Sequence, residues 1–454
     1  MSGTDTERSV VATLREAVTA SDLRMVAVTI AAVYLLLVGV AFYFDPDQAV
    51  NLSATYIQSV TIFIGGYAML TLALNLHWGY TGLFNIGVAG FMGVGVYAMA
   101  VLTAPVEPAT AGATPGFGLP LWAGLLGAAA AASVVGLLTA LPALRLRADY
   151  LAIVTVALSE IIRLLLNSQT LSEVTLFGAT FGTGGASGIN YAGPSPIIAG
   201  TLFDTLAGPV TGALLAVGVD PRSWGIRPSN LEGLLYGAVL LAATAGFYWL
   251  LSRTGNSPFG RVLKAIREDE LVARSLGKDT RLFKIKAFML GCALMGLAGA
   301  LWFGRGGFTS PTQFRPNITF FVFIALIIGG AGSNTGSVIG GAVFAGFLFY
   351  LPQQLGTVIP QALPQGAGAG DIAAAVAALG GGDVLPLVGY TVANISRLRF
   401  VVIGVILVWL IQRRPEGLLG HRTEPASSID ISQRPGAGGA GERPAAADGG
   451  EQRE

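Results

Sequence analysis

Apolar segments long enough to cross a bilayer recur along the chain and constrain its fold more than any other feature. A transmembrane helix needs about 20 apolar residues. Such segments cover, in order, 25–44, 56–76, 82–104, 120–141, 150–167, 231–251, 287–304 and 396–412. The chain is 53% hydrophobic and only 12% charged, too little charge for a water-exposed surface. The pattern predicts an all-α polytopic membrane protein.

One further apolar stretch is too long for a single untilted helix. It covers 319–351, and glycines interrupt it at positions 329, 330, 332 and 336. Glycine permits backbone turns that other residues resist. We therefore expect two short crossings or a re-entrant pair here, which brings the total to about ten transmembrane helices, some of them short or broken.

Basic residues set the expected orientation, because cytoplasmic loops collect Lys and Arg. Basic clusters precede the first span, follow the fourth, fill 252–286 and follow the last span at Arg413 and Arg414. With ten spans all of these clusters lie on the cytoplasmic side, and so do both termini. The expected organisation is a cytoplasmic segment 1–24, a transmembrane domain 25–420 with outer loops 168–230 and 352–395, and a disordered cytoplasmic tail 421–454. No A-x-A cleavage site follows the first span closely, so we expect that span to be retained.

Composition excludes several classes of site. One cysteine and two histidines exclude a disulfide framework and disfavour a zinc site. The net charge of +1 indicates no nucleic-acid partner. The chain contains no G-x-x-x-x-G-K-[ST] motif, so we expect it to bind neither ATP nor another cofactor. His77, at the end of the second span, is expected at the membrane interface.

The charged stretch 257–279, "SPFGRVLKAIREDELVARSLGKD", stands out from its apolar surroundings. Ser257 is a favourable N-cap and Pro258 suits the first helical position. Glu270 and Arg274 form a favourable i,i+4 pair, and Gly277 suits a helix end. The stretch predicts one or two short amphipathic helices on a cytoplasmic loop. From the residues alone it is a solvated loop, a helix on anionic lipid or a docking helix for a partner.

Two polar features lie within predicted spans. Glu160 and Arg163 are one turn apart near the middle of the fifth span, where an unpaired charge is costly. They are either a self-neutralised structural pair or part of a polar wall for a zwitterionic substrate. The glycines of 79–95, among them Gly82, Gly87, Gly90 and Gly93, are expected to let helices approach closely. Alternatively this segment lines a pathway and exposes Asn85.

Five stretches, in order, resemble one family. "IREDELVARSLG" (266–277) is similar to the cytoplasmic coupling segment of ABC-importer permeases, and "SPFGRVLKAIREDE" (257–270) to the M-type permease of branched-chain amino acid importers. The remaining matches are "GYTGLFNIGVAGFMGVGVYAMA" (79–100), "LRLRADYLAIVTVALSEIIRLLLN" (144–167), "IIGGAGSNTGSVIGGAVF" (327–344) and "RRPEGLLG" (413–420). The chain departs from the family at Val88, where a histidine is common, and at Phe84.

The resemblance implies a permease subunit of an ATP-driven importer for leucine, isoleucine and valine in the cell membrane. It implies two cytoplasmic ABC ATPase subunits, which would hold ATP and magnesium, a second related permease, an external substrate-binding protein and surrounding lipid. The coupling residues implied by the resemblance are Arg267, Glu268, Asp269, Glu270, Ala273 and Gly277. Candidate pathway residues are Asn85, Thr155, Glu160 and Arg163. The alternatives are an importer of urea or short amides, a gradient-driven secondary transporter and a membrane scaffold without transport.

Overall fold

A computed structural model of the chain describes residues 22–107, 114–144, 148–176, 179–216, 227–362 and 371–419. These residues fold mainly into α-helices. The first five are α1 (Asp22–Phe44), α2 (Ala49–Leu74), α3 (Val88–Thr103), α4 (Leu121–Ala143) and α5 (Ala148–Leu166). A π-helical turn, Asn75–Tyr80, extends α2. The predicted segments 1–21 and 420–454 lie outside the described residues.

The segment after α5 contains two β-hairpin strands and short helices. Strands β1 (Val174–Leu176) and β2 (Ala179–Phe181) pair antiparallel. Strand β3 (Ile189–Asn190) pairs with the distant β4 (Phe308–Thr309), with Ile189 opposite Thr309. Between β3 and the next long helix lie α6 (Gly200–Leu202) and α7 (Gly208–Ala216). The β3–β4 pairing ties the segment 168–230 to the end of a later span.

The second half of the chain contains the charged loop and the broken spans. Its first helices are α8 (Pro228–Asn256), α9 (Pro258–Glu268), α10 (Glu270–Ser275) and α11 (Thr280–Trp302). They are followed by α12 (Asn317–Gly329), α13 (Asn334–Val343), α14 (Leu351–Ala362), α15 (Ile372–Gly380), α16 (Leu385–Ala393) and α17 (Ile395–Arg413). The segment 352–395, predicted only as an outer loop, thus contains helical structure of its own.

Among the described residues, seven helices are long and apolar enough to cross a membrane, or eight if a bent pair is counted as one span. The seven include α1, α2, α4, α8, α11, α12 and the continuous segment Asn334–Ile359. The apolar helices α3, α5 and α17 bring the number to about ten, as the sequence predicted. The chain is therefore a multi-pass membrane protein.

Small residues let the central helices pack closely. On α4 the buried positions Gly124, Ala128, Ala132 and Gly136 recur every fourth residue, whereas Leu126 on the opposite face is 64% exposed. This small face packs against α3 and α11. A methyl group at Gly95 of α3 would overlap the backbone of Gly296 of α11. In a bilayer, such small-residue faces provide the van der Waals contact that holds helices together.

The glycine-broken segment turns back on itself, as predicted. α12 ends at Gly329, and Gly330 and Gly332 adopt φ angles of 104° and 95° before α13 begins. Gly340 of α13 lies against Ala325 and Gly329 of α12, so the two helices pack side by side. The last described residues, Leu418 and Leu419, donate their amides to Ile328 O (2.9 Å) and Gly329 O (3.0 Å). This C-terminal segment caps the carbonyl end of α12.

Candidate functional site

The charged stretch forms two short helices, α9 and α10. Ser257 caps α9 by accepting a hydrogen bond from the Gly260 amide (3.3 Å), and Asp269 caps α10 by accepting from the amides of Leu271 (2.8 Å) and Val272 (3.1 Å). Gly277, with a φ of +77°, follows the end of α10. The predicted cap, first-turn proline and helix end are confirmed, and Asp269 explains why there are two helices.

Glu270 fixes α10 to the first turn of α11. Its carboxylate lies 2.5 Å from Lys284 Nζ, 3.0 Å from Thr280 Oγ1 and 3.2 Å from Arg274 Nη2. Burial alone raises the pKa of the Glu270 carboxyl, but its hydrogen bonds and ion pairs with Lys284, Thr280 and Arg274 outweigh burial and hold the pKa below its ordinary value. Glu270 therefore holds the coupling segment together from within the chain.

Ala273 also faces the interior. Its residue surface is only 2% exposed, whereas the neighbouring Leu271, Val272 and Leu276 are 71%, 55% and 72% exposed. Leu271, Val272 and Leu276, with the exposed Glu268 and Asp269 beside them, form a surface that we call the α10 face. An exposed apolar patch with charged residues at its edge is typical of a protein-binding surface.

Arg267 is directed away from the α10 face. Its guanidinium donates a hydrogen bond from Nη1 to the carbonyl of Gly79, in the π-helical turn that ends α2. The same Nη1 lies 3.0 Å from where a Cβ on Gly332 would stand. The end of α9 is thus attached to the break between α2 and α3 and lies against the break between α12 and α13.

The chain leaves the helical path between α2 and α3. The sequence predicted one helix over 82–104, which is wrong for residues 82–87: these are extended, and α3 begins at Val88. Gly82 has a φ of +69°, and the Asn85 side chain accepts from the Gly87 amide (2.8 Å) in place of a helical hydrogen bond. Gly82 and Gly87 therefore do not lie on a helix face, whereas Gly90 and Gly93 do. Hydropathy could not reveal this, since the six residues are apolar enough for a span.

Threonine side chains support the break. Thr155 Oγ1 of α5 accepts from the Ile86 amide (2.9 Å), and Thr319 Oγ1 of α12 accepts from the Ala89 amide (3.0 Å). Both threonines and Asn85 are fully buried. The structure thus brings together two of the predicted pathway residues, Asn85 and Thr155, and adds Thr319, which the sequence did not single out.

His77 is buried and not interfacial, so the sequence prediction for it was wrong. Its ring stacks on Phe288 at 4.8 Å, its Nε2 lies 3.0 Å from Phe288 O and its Nδ1 lies 3.1 Å from Asn85 Nδ2. A carbonyl can only accept, so Nε2 carries the proton. Since Asn85 Oδ1 is engaged by the Gly87 amide, Nδ2 donates to an unprotonated Nδ1. The neutral ring joins the π-helical turn to the extended segment.

Glu160 and Arg163 form the predicted ion pair on α5. Arg163 donates from Nε (2.9 Å) and Nη2 (2.5 Å) to the two carboxylate oxygens of Glu160. The face of α5 that includes Thr155 and Ser159 is buried, but the Glu160 and Arg163 side chains are 38% and 19% exposed. Among the described residues, no hydrogen bond joins the pair to Asn85 or Thr155.

Comparisons with known proteins place this arrangement in a family context. Residues 56–362 match the sequence model of a family described as "Branched-chain amino acid transport system / permease component". The chain is 35% identical over 272 residues to the high-affinity branched-chain amino acid transport system permease protein LivM of Escherichia coli K12, covering 59% of this chain and 57% of that protein. The protein of the same description from Salmonella typhimurium is 33% identical over 304 residues, which is 66% of this chain and 63% of the relative.

An archaeal relative is more distant. The probable branched-chain amino acid transport permease protein LivM of Methanocaldococcus jannaschii is 27% identical over 313 residues, covering 64% of this chain and 79% of the relative. The matched part of this chain spans less than two thirds of the length of each of the two bacterial relatives. No solved structure matches the chain.

Proposed function

The chain belongs to the family of branched-chain amino acid transport system permease components, and we propose that it is the membrane-spanning permease subunit of an ATP-driven importer for leucine, isoleucine and valine. The observation that carries the mechanism is the α10 face, which is presented between two long helices, α8 and α11. Such a surface suits a partner that delivers mechanical work to the bundle.

Two cytoplasmic ABC ATPase subunits are the partners that we assign to the importer, one of them at the α10 face. Leu271, Val272 and Leu276 supply apolar area, and Glu268 and Asp269 supply charge at its edge. ATP and magnesium would be bound by those subunits. This places the loop 252–286 and both termini in the cytoplasm. Within the predicted coupling group, Glu270, Ala273 and Gly277 would shape α10 rather than contact the ATPase.

A second, related permease and an external binding protein would complete the importer. The partly exposed Glu160–Arg163 pair supports the partner permease. An ion pair at membrane depth is stable against protein or water and costly against lipid. We propose that α5 turns this pair toward the partner and the substrate pathway between them. There the pair could exchange partners with the ammonium and carboxylate of an amino acid.

Asn85 and Thr155 would border the same pathway. Non-helical backbone inside a membrane is stable where protein or a water-filled cavity surrounds it, and broken helices often bind the substrates of transporters. The extended segment 82–87 is held by buried side chains and is suited to rearrange when the bundle opens. Asn85 would reach the substrate in a state in which its bond to His77 is broken.

Uptake measurements test the ligand class. Labelled leucine uptake is compared in cells with and without the gene, with isoleucine, valine and urea as unlabelled competitors. We expect gene-dependent uptake that isoleucine and valine suppress and urea does not. Suppression by urea alone would support the amide importer, and uptake that follows an ion gradient and ignores ATP depletion would support a secondary transporter. Uptake unchanged by deletion of the gene would refute the amino-acid assignment.

A surface variant tests the ATPase partner separately. Leu276→Asp places a charge in the centre of the α10 face, and Val106→Asp places the same charge at another exposed position, where Val106 is 63% exposed. We expect the first variant alone to lose co-purification with the ATPase subunits encoded with the transporter. Equal retention by both variants would show that the partner binds elsewhere.

A further inference from the structure

The coupling helix is attached to both broken spans through one side chain, Arg267. Its Nη1 donates to Gly79 O in the first break, and it lies beside the position that a Cβ on Gly332 would take in the second. Its Cγ lies 3.5 Å from where a Cβ on Gly82 would stand. The rest of Arg267 is exposed, so this end of the side chain is what fixes it.

The two breaks are also bonded directly to each other. Asn75 Oδ1 accepts from the Gly332 amide (2.7 Å), and Asn75 Nδ2 donates to Asn334 Oδ1 (3.1 Å). Asn334 Nδ2 donates in turn to Ser252 Oγ on α8 (3.2 Å). Gly79 is close enough to this network that a Cβ there would lie 2.6 Å from the Gly332 amide nitrogen. The two breaks therefore cannot separate without breaking several hydrogen bonds.

The first break continues toward the membrane interior. The turn that contains Asn75 and Gly79 also contains His77, which is bonded to Asn85. Asn85 in turn fixes Gly87, the residue before α3. A continuous series of contacts thus runs from α9 through Arg267, Gly79 and His77 to the start of α3.

We propose that Arg267 is a positioning residue that transmits displacement of α9 to the two broken spans. This proposal rests on the proposed function, because the displacement comes from the ATPase partner. When α9 moves, its guanidinium moves Gly79 and Gly332 together, and the extended segment 82–87 shifts through His77 and Asn85. Arg267 acts from inside the chain, and its role differs from that of the α10 face, which binds the partner. Two breaks attached to one guanidinium open and close in concert.

The experiment uses the complete importer, with its ATPase subunits, partner permease and binding protein, reconstituted in proteoliposomes. Ligand uptake and ATP hydrolysis are measured together for the wild type, Arg267→Gln and Arg267→Lys. A matched control is Arg281→Gln, which removes an exposed arginine at the start of α11. The leucine-uptake assay on the wild type tests the proposed function, and the ratio of uptake to hydrolysis tests the role of Arg267.

We expect Arg267→Gln to keep its ATPase subunits and hydrolyse ATP while uptake per ATP falls roughly tenfold, within the range that coupling between distant sites covers. Arg267→Lys keeps a donor for Gly79 O and should recover part of this ratio, and Arg281→Gln should match the wild type. An unchanged ratio in Arg267→Gln would overturn the proposal. So would loss of the ATPase subunits together with uptake, as in Leu276→Asp, because Arg267 would then act as a docking contact. Wild-type protein that imports no ligand would instead refute the proposed function.

Discussion

Replacement of Glu270 by glutamine should loosen α10 locally without unfolding the membrane domain. The wild-type carboxylate pairs with Lys284, whose side chain is only 14% exposed, and with Arg274, whose side chain is 63% exposed. A hydrogen bond between charged groups contributes about 1.5–3 kcal/mol, and an exposed i,i+4 pair contributes about 0.3–0.5 kcal/mol. Since the Glu270 side chain is itself about one third exposed, water screens both pairs and the lower part of the range applies.

The expected loss is therefore about 2 kcal/mol of local stability, which corresponds to roughly 30-fold faster hydrogen exchange of the protected α10 amides. Exchange is followed by mass spectrometry on peptides covering 269–278 in the membrane-embedded protein. Lys284→Gln should give a similar acceleration, and the double variant with Glu270→Gln should add little, because the partners share one interaction. Arg274→Gln, which removes only the exposed pair, should change exchange less than about threefold.

A change below twofold in Glu270→Gln would refute this account of α10. Fully additive effects of the Glu270 and Lys284 variants would do the same, since they would show that the two side chains stabilise the region independently. Unchanged exchange in peptides from α2 and α11 serves as the internal reference, because a global effect would accelerate these peptides as well.

Three further predictions follow from the same structure. The lowered pKa of Glu270 means that its stabilisation of α10 is complete above the ordinary carboxyl value of 4.5 and is lost as the pH falls through the lowered value, so intrinsic-rate-corrected exchange of α10 should accelerate only in that acidic window. Gly95→Ala forces α3 away from α11 and should cost about 1–3 kcal/mol, seen as a lower thermal unfolding midpoint in detergent, whereas Gly39→Ala, with nothing within 4 Å of the added methyl, should leave the midpoint unchanged. Glu160→Gln should leave expression and assembly intact but reduce leucine uptake; uptake at the wild-type level would assign the ion pair a purely structural role.

The sequence predicted best those features that depend on near neighbours in the chain. The cap at Ser257, the pair Glu270–Arg274 and the helix end at Gly277 all follow from local rules of helix formation, and all are present. The Glu270–Lys284 contact was not foreseen, because it depends on how α10 folds back onto α11. The same holds for Arg267 and Gly79, which are far apart in sequence.

The candidate site within the membrane was harder to predict for a physical reason. Hydropathy measures how apolar a segment is and not whether its backbone is helical, so residues 82–87 were included in a span. The buried partners that stabilise the extended backbone, Thr155 and Thr319, come from two other helices and leave no local signal. His77 was placed at the interface for the same reason, since its partners Phe288 and Asn85 are recognisable only in three dimensions.

The cap that Leu418 and Leu419 form on α12 has a consequence for the order in which the chain is made. The carbonyls of Ile328 and Gly329 are synthesised long before the two amides that bond to them. During insertion into the membrane they lack these partners, and the turn between α12 and α13 is completed only when the end of the last helix arrives. A premature stop within the last helix would thus damage a turn encoded far upstream, and completion of that turn signals that the chain has been translated through residue 419.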